Sequence, residues 1–176
     1  MPVAGETRPP HLREYSLWAF SIVMIFSINA RSTGTRGPGR NHKKEHPMVD
    51  FTVEKIIEVQ IRIIEASDHE EDKRTEGLVR DHGTLDFLVD RANHIDDAYR
   101  KAAWMLYSIA ARHPFYQGNK RTALIAAEMI LMLEAGSPIT ADEEVIDLYV
   151  REVATYRHGL EDVECWIRGN CRKKDD

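Results

Sequence analysis

The chain has 176 residues, a formal net charge of −5, 43% hydrophobic and 30% charged side chains. That balance excludes a disordered chain, a collagen-like chain and a polytopic membrane protein, and the acidity argues against a strongly basic nucleic-acid binder. With only two cysteines, no disulfide framework is expected.

Charge is spread unevenly. Residues 1–47 hold seven Lys/Arg against three Asp/Glu, whereas residues 48–176 hold seventeen against twenty-six. A boundary near Pro47–Met48 follows. The first segment carries an apolar run of twelve residues from Leu17 to Ile28, or sixteen from Tyr15 to Ala30, and then a basic stretch from Arg36 to Lys44. A membrane-spanning helix needs ~20 apolar residues. A secretory signal needs a cationic flank, and here Arg8 and Arg13 are balanced by Glu6 and Glu14. Three readings stand: a signal, a marginal anchor, or a non-functional extension with Met48 as the working start. The last is preferred because neither targeting pattern is complete. Membrane contact is expected only if residues 15–30 act as an anchor, and the Lys/Arg excess after the run would keep the rest cytoplasmic. The main domain, residues 48–176, is therefore expected in the cytoplasm. The basic stretch is read as a solvated linker without a nucleic-acid partner.

From Thr52 onward the pattern is helical. Thr52 is placed to cap a helix over about 53–66, with Val53, Ile56, Ile57, Ile61 and Ile64 at helical spacing. The run Ser67 to Arg74 reads as a solvated loop. A short helix follows over about 84–91. A long one over about 96–112 turns Ala98, Ala102, Met105, Leu106 and Ile109 inward. The next covers about 119–135 and stops at Gly136 and Pro138. Thr140 to Glu143 reads as a capping box for a helix over about 141–155, and a last helix covers about 161–168. The expected fold is all-α with one core.

The segment from His113 to Leu124 joins the two most apolar helices. Pro114 disfavours helical geometry at His113, and Gly118 permits backbone conformations that other residues resist. The next helix begins near Asn119, so its free N–H groups face the loop. Lys120 and Arg121 then sit at the positive end of a helix dipole, where acids are favoured by ~0.3–1 kcal/mol. A bound anion explains such a pair, and phosphate fits. His113 lies across the loop with a side chain suited to general-base work. The expectation is a phosphate cradle with a base beside it. Each residue taken alone also fits a plain surface helix start; the case rests on their clustering.

These residues resemble a known family signature. His113-Pro114-Phe115-Tyr116-Gln117-Gly118-Asn119-Lys120-Arg121-Thr122-Ala123 is similar to the loop of the Fic/Doc fold, in the Doc (death-on-curing) branch. The general Fic loop reads H-P-F-x-[D/E]-G-N-G-R-x-x-R and the Doc loop H-x-F-x-[D/N]-x-N-K-R-T-A. Lys120 stands where the general form has Gly, and Leu124 where it has the second Arg. Both choices match Doc. Gly77 to Leu85 resembles the G-x-R-D-x-G-x-L flap, shifted by one residue at Val79, and Ala141 to Arg168 resembles the family's C-terminal helices. The likeness runs from about Phe51 to Arg168 and leaves out residues 1–47.

The resemblance implies a compact bundle of about six helices with a small flap before the second. It implies His113 as general base, Phe115 as loop anchor, and Gly118, Asn119, Lys120 and Arg121 as holders of nucleotide phosphates. The flap, Val79, Arg80, Asp81, His82, Gly83 and Thr84, would dock the target segment as an added strand. ATP would be the substrate and Mg²⁺ would assist. Lys120 in place of Gly implies transfer of the terminal phosphate, by resemblance to a threonine of elongation factor Tu, with AMP transfer to a protein hydroxyl as the second reading. An antitoxin would hold the activity off.

One position departs from the pattern. Gln117 stands where the family has its metal-binding acid, and Mg²⁺ sites normally include a carboxylate. Metal use is then weakened, and a third reading opens: a catalytically impaired module that binds nucleotide or antitoxin. A general Fic autoinhibitory segment reads [S/T]-x-x-x-E-[G/N]; Glu76-Gly77 matches its end but Asp72 fills its first position. That match is taken as coincidence, which favours a separate antitoxin. Elsewhere Asp96 and Asp97 read as dipole-matching acids. Neither the eight histidines nor Cys165 and Cys171 show zinc-ligand spacing.

Overall fold

The computed structural model describes residues 50–171. The readings for residues 1–47, and the boundary near Pro47–Met48, lie outside the described residues. Among the described residues there are six α-helices: α1 Val53–Glu65, α2 His82–Asn93, α3 Ala98–Arg112, α4 Asn119–Ile130, α5 Glu143–Ala154 and α6 Leu160–Asn170. The expected all-α architecture is present, and among the described residues no strand extends beyond single bridged residues. No described helix is long and apolar enough to cross a membrane.

Short polar side chains start the first three helices. Thr52, Asp81 and Asp97 each accept a hydrogen bond from a backbone N–H three residues on. Such caps satisfy donors that a helix start leaves orphaned, each worth roughly 1 kcal/mol. Asp97 thus lies just outside α3, as its cap.

Helix α3 is central. It packs against α2, α4, α5 and α6, while α1 covers α4 from the other side. Its face of Ala102, Met105, Leu106 and Ile109 is fully buried, as the spacing predicted, with Ala98 at the margin. Tyr149 of α5 stacks on Trp166 of α6 at 4.3 Å and on His158 at 4.6 Å, which pins these two helices together.

Two local expectations change. The helix expected over 119–135 is α-helical only to Ile130; Leu131–Ala135 form one π turn, closed by Gly136 at φ 60°. Within that turn Glu134 pairs with Lys101 of α3 at 2.7 Å, both side chains buried. The capping box at Thr140 is not formed. Thr140 donates its N–H and its hydroxyl to the Asn170 carbonyl, at 2.8 and 3.0 Å, and Asp142 is the residue at the helix start. A carbonyl 30 residues away outcompetes the local cap for the same hydroxyl.

Candidate active site

The loop from His113 to Gly118 links α3 to α4 across the core. His113 ends α3 in the left-handed conformation (φ 49°, ψ 59°), with its N–H on the Ile109 carbonyl at 3.2 Å. Pro114 is what makes a helical His113 costly. Two side chains from elsewhere satisfy the last carbonyls of α3. The Tyr156 hydroxyl donates to the Ala111 carbonyl at 2.6 Å, and Arg80 donates to the Arg112 carbonyl at 3.1 Å. The backbone under His113 is thereby held from both sides.

Phe115 is fully buried, as its anchoring role requires. Asn119 holds it in place: the Phe115 N–H donates to Asn119 Oδ1 and Asn119 Nδ2 donates to the Phe115 carbonyl, both at 2.8 Å. Its side chain thus braces the loop, and its backbone N–H faces the site. Gly118 has φ 79°, and a Cβ there would lie 3.1 Å from Ile64 Cδ1. Glycine is needed on both counts. Among the described residues no acceptor meets the N–H groups of Gly118 through Arg121. They make an open anion cradle at the start of α4.

The two cations of this turn have different fates. Lys120 is exposed. Arg121 instead donates to Asp72 Oδ2 at 2.7 Å, and the Ser67 hydroxyl donates to the same oxygen. Asp72 is buried, so the stretch 67–74 is not uniformly solvated. The bound anion expected at Arg121 is supplied in part by the protein itself. One cation of the pair is neutralised and the other faces out.

A buried amide braces the back of the loop. Gln60 of α1 donates to the Gln117 carbonyl at 3.2 Å and to the Thr75 carbonyl at 3.1 Å, and accepts from the Gly77 N–H at 2.7 Å. Sequence reasoning missed Gln60 and Asp72. A polar residue on the inward face of α1, beside Val59 and Ile63, was the one available signal for Gln60. Asp72 had none within its charged run.

The flap meets the loop directly. Val79 forms an antiparallel bridge with Phe115, flanked by Arg80 N–H to the Pro114 carbonyl at 2.7 Å and Tyr116 N–H to the Leu78 carbonyl at 3.3 Å. The Asp81 N–H also reaches the Pro114 carbonyl, at 3.1 Å. The expected docking edge over Val79–Thr84 is shorter than the motif suggested. His82, Gly83 and Thr84 form the first turn of α2, and Asp81 caps it. Before the helix only Val79, in its bridge, and Asp81, at φ −138° and ψ 93°, are strand-like, with a bend at Arg80 between them.

The metal expectation meets an unsuitable donor set. Gln117 offers a neutral amide, and among the described residues no three His, Cys, Asp or Glu side chains converge. These residues do not fit a Mg²⁺ ion held by protein carboxylates.

Comparison with known proteins agrees with the loop. The Fic/DOC family model matches residues 50–131. Toxin Doc of Mycolicibacterium smegmatis is 37% identical over 100 residues, covering 52% of this chain and 76% of that protein. The matched stretch holds the flap, the braced loop and the start of α4 together, and the chain belongs to the Fic/DOC family.

Proposed function

We propose that this chain is a Doc-like toxin that transfers the terminal phosphate of ATP to a hydroxyl of a target protein in the cytoplasm, by resemblance a threonine of elongation factor Tu. The reading is carried by Lys120. It is an exposed cation in the first turn of α4, beside open N–H groups and with no carboxylate partner among the described residues, while its neighbour Arg121 is paired. That arrangement suits the terminal phosphates of a nucleotide.

In this reading an imidazole nitrogen of His113 takes the proton from the acceptor hydroxyl. The hydroxyl oxygen attacks the γ-phosphorus, the bond from that phosphorus to the β–γ bridging oxygen breaks, and ADP leaves. Lys120 and the α4 N–H groups offset the charge on the transferred group. A small antitoxin, as the Doc-branch resemblance implies, would restrain the activity.

AMP transfer is the second reading, since the family loop serves both. The third is a non-catalytic nucleotide- or antitoxin-binding module, favoured by the neutral Gln117. Intact-mass analysis of a purified elongation factor Tu incubated with ATP and the full chain distinguishes them. A phosphoryl adduct that vanishes with His113→Ala is expected, with a rate loss of roughly 10²–10⁴. An AMP adduct reverses the order of the first two readings, and no adduct with retained ATP binding supports the third.

A further inference from the structure

The outer face of the flap–loop bridge carries side chains that neither the core nor the cradle uses. Val79 packs inward against the core beside Phe115, whereas Leu78 and Arg80 on either side of it are exposed. Leu78 stands opposite Tyr116, and both are exposed, at 47% and 60%. One step along, Arg80 stands opposite Pro114 and reaches the Arg112 carbonyl. The Arg112 guanidinium lies over the Phe87 ring at 5.5 Å and the Trp104 ring at 5.6 Å. Two aromatic faces hold it in a defined place. Among the described residues no carboxylate pairs with Arg80 or Arg112 at ion-pair distance; Asp81, next in the chain, has its carboxylate engaged by Thr84. The flanking hydrogen bonds belong to residues 78 and 80, so the Val79 N–H and C=O point away from the loop and leave an open edge.

We propose that this face reads the acceptor segment of the target protein and that the segment is acidic and apolar. An extended stretch pairs along Val79, sets one apolar side chain on Leu78 and Tyr116, and sets one Asp or Glu side chain at Arg80. The two target residues lie two apart, on the same side of their strand. Backbone pairing supplies the register, and the apolar pair and the exposed Arg80 cation supply the choice. The proposal rests on the phosphotransfer reading and adds the kind of segment that it accepts.

An array of synthetic peptides, each with a single threonine, tests it with the full chain and γ-labelled ATP. Labelling is expected to peak where Asp or Glu and Leu or Phe stand two apart near the threonine. Arg80→Glu should lower labelling of acidic peptides roughly tenfold and raise that of the matching lysine peptides. Leu78→Ser combined with Tyr116→Ser should flatten the apolar preference and keep the acidic one. A reversed preference cannot arise from unfolding. Uniform labelling across the array, or equal loss on every peptide with Arg80→Glu, overturns the proposal. If the wild type labels nothing, phosphotransfer to such segments fails, and fluorescence anisotropy on the same peptides without nucleotide then decides this face separately. Preferential binding of the acidic–apolar peptides upholds it. Absence of any preference overturns it, including the case where residues 1–49 or a second copy of the chain cover the face.

Discussion

At Gln117 and Asp72 single side chains set the electrostatics of the cradle. Gln117 leaves the loop without the carboxylate that a Mg²⁺ ion ordinarily requires. Gln117→Asp is therefore expected to tighten nucleotide binding in Mg²⁺ relative to EDTA, measured by calorimetry. Identical Mg²⁺ dependence in the two proteins would show that this position does not limit metal use. Asp72 is the partner that holds Arg121, and its carboxylate also receives the Ser67 hydroxyl. Asp72→Asn should cost about 1–3 kcal/mol, because a largely buried guanidinium loses its charge partner. A thermal midpoint unchanged within about 2 °C would contradict that, given the roughly 2–8 °C expected per kcal/mol.

At the scale of elements, the loop is positioned by α1 as much as by the helices it joins. Ile64 lies under Gly118 and Gln60 under Gln117. Gly118→Ala combines a left-handed backbone with a 3.1 Å contact, and a loss of roughly 1–2 kcal/mol is expected by denaturant unfolding. Gains or no change would show that the turn relaxes freely. The helices themselves were legible because apolar residues recur at 3.6-residue spacing and caps are local. Thr140 shows the limit: its hydroxyl chose the Asn170 carbonyl, which no local pattern reveals. The π turn after Ile130 was equally hidden, since its Glu134 pairs with Lys101, 33 residues away.

At the scale of the whole molecule, one titratable group records how tightly the bundle closes. Burial pushes the Glu128 carboxyl up to about 7, well above its ordinary value of 4.5. Folded chains then keep this proton over a range where unfolded chains have lost it. Its contribution to stability is intact below about pH 4.5 and is lost as the pH rises through about 7. Glu128→Gln should stabilise the protein at pH 8 by roughly 1–3 kcal/mol and change little at pH 4.5, followed by urea unfolding at both. An equal effect at both pH values would place the cause in packing instead of charge.

The residues alone determined the all-α class, the starts of all six described helices to within two residues, and the loop that carries His113, Phe115, Gly118 and Lys120. Periodicity, proline and glycine act over a few residues, so they are readable from order in the chain. Only the tertiary structure decided which polar groups of the loop remain open. Asn119 is spent on Phe115, Arg121 on Asp72, and the flap backbone on Pro114 and Tyr116. Apart from Asn119, those partners lie tens of residues away. Which donor is left for a phosphate is settled when packing removes water from its neighbours and each must find an acceptor within the fold.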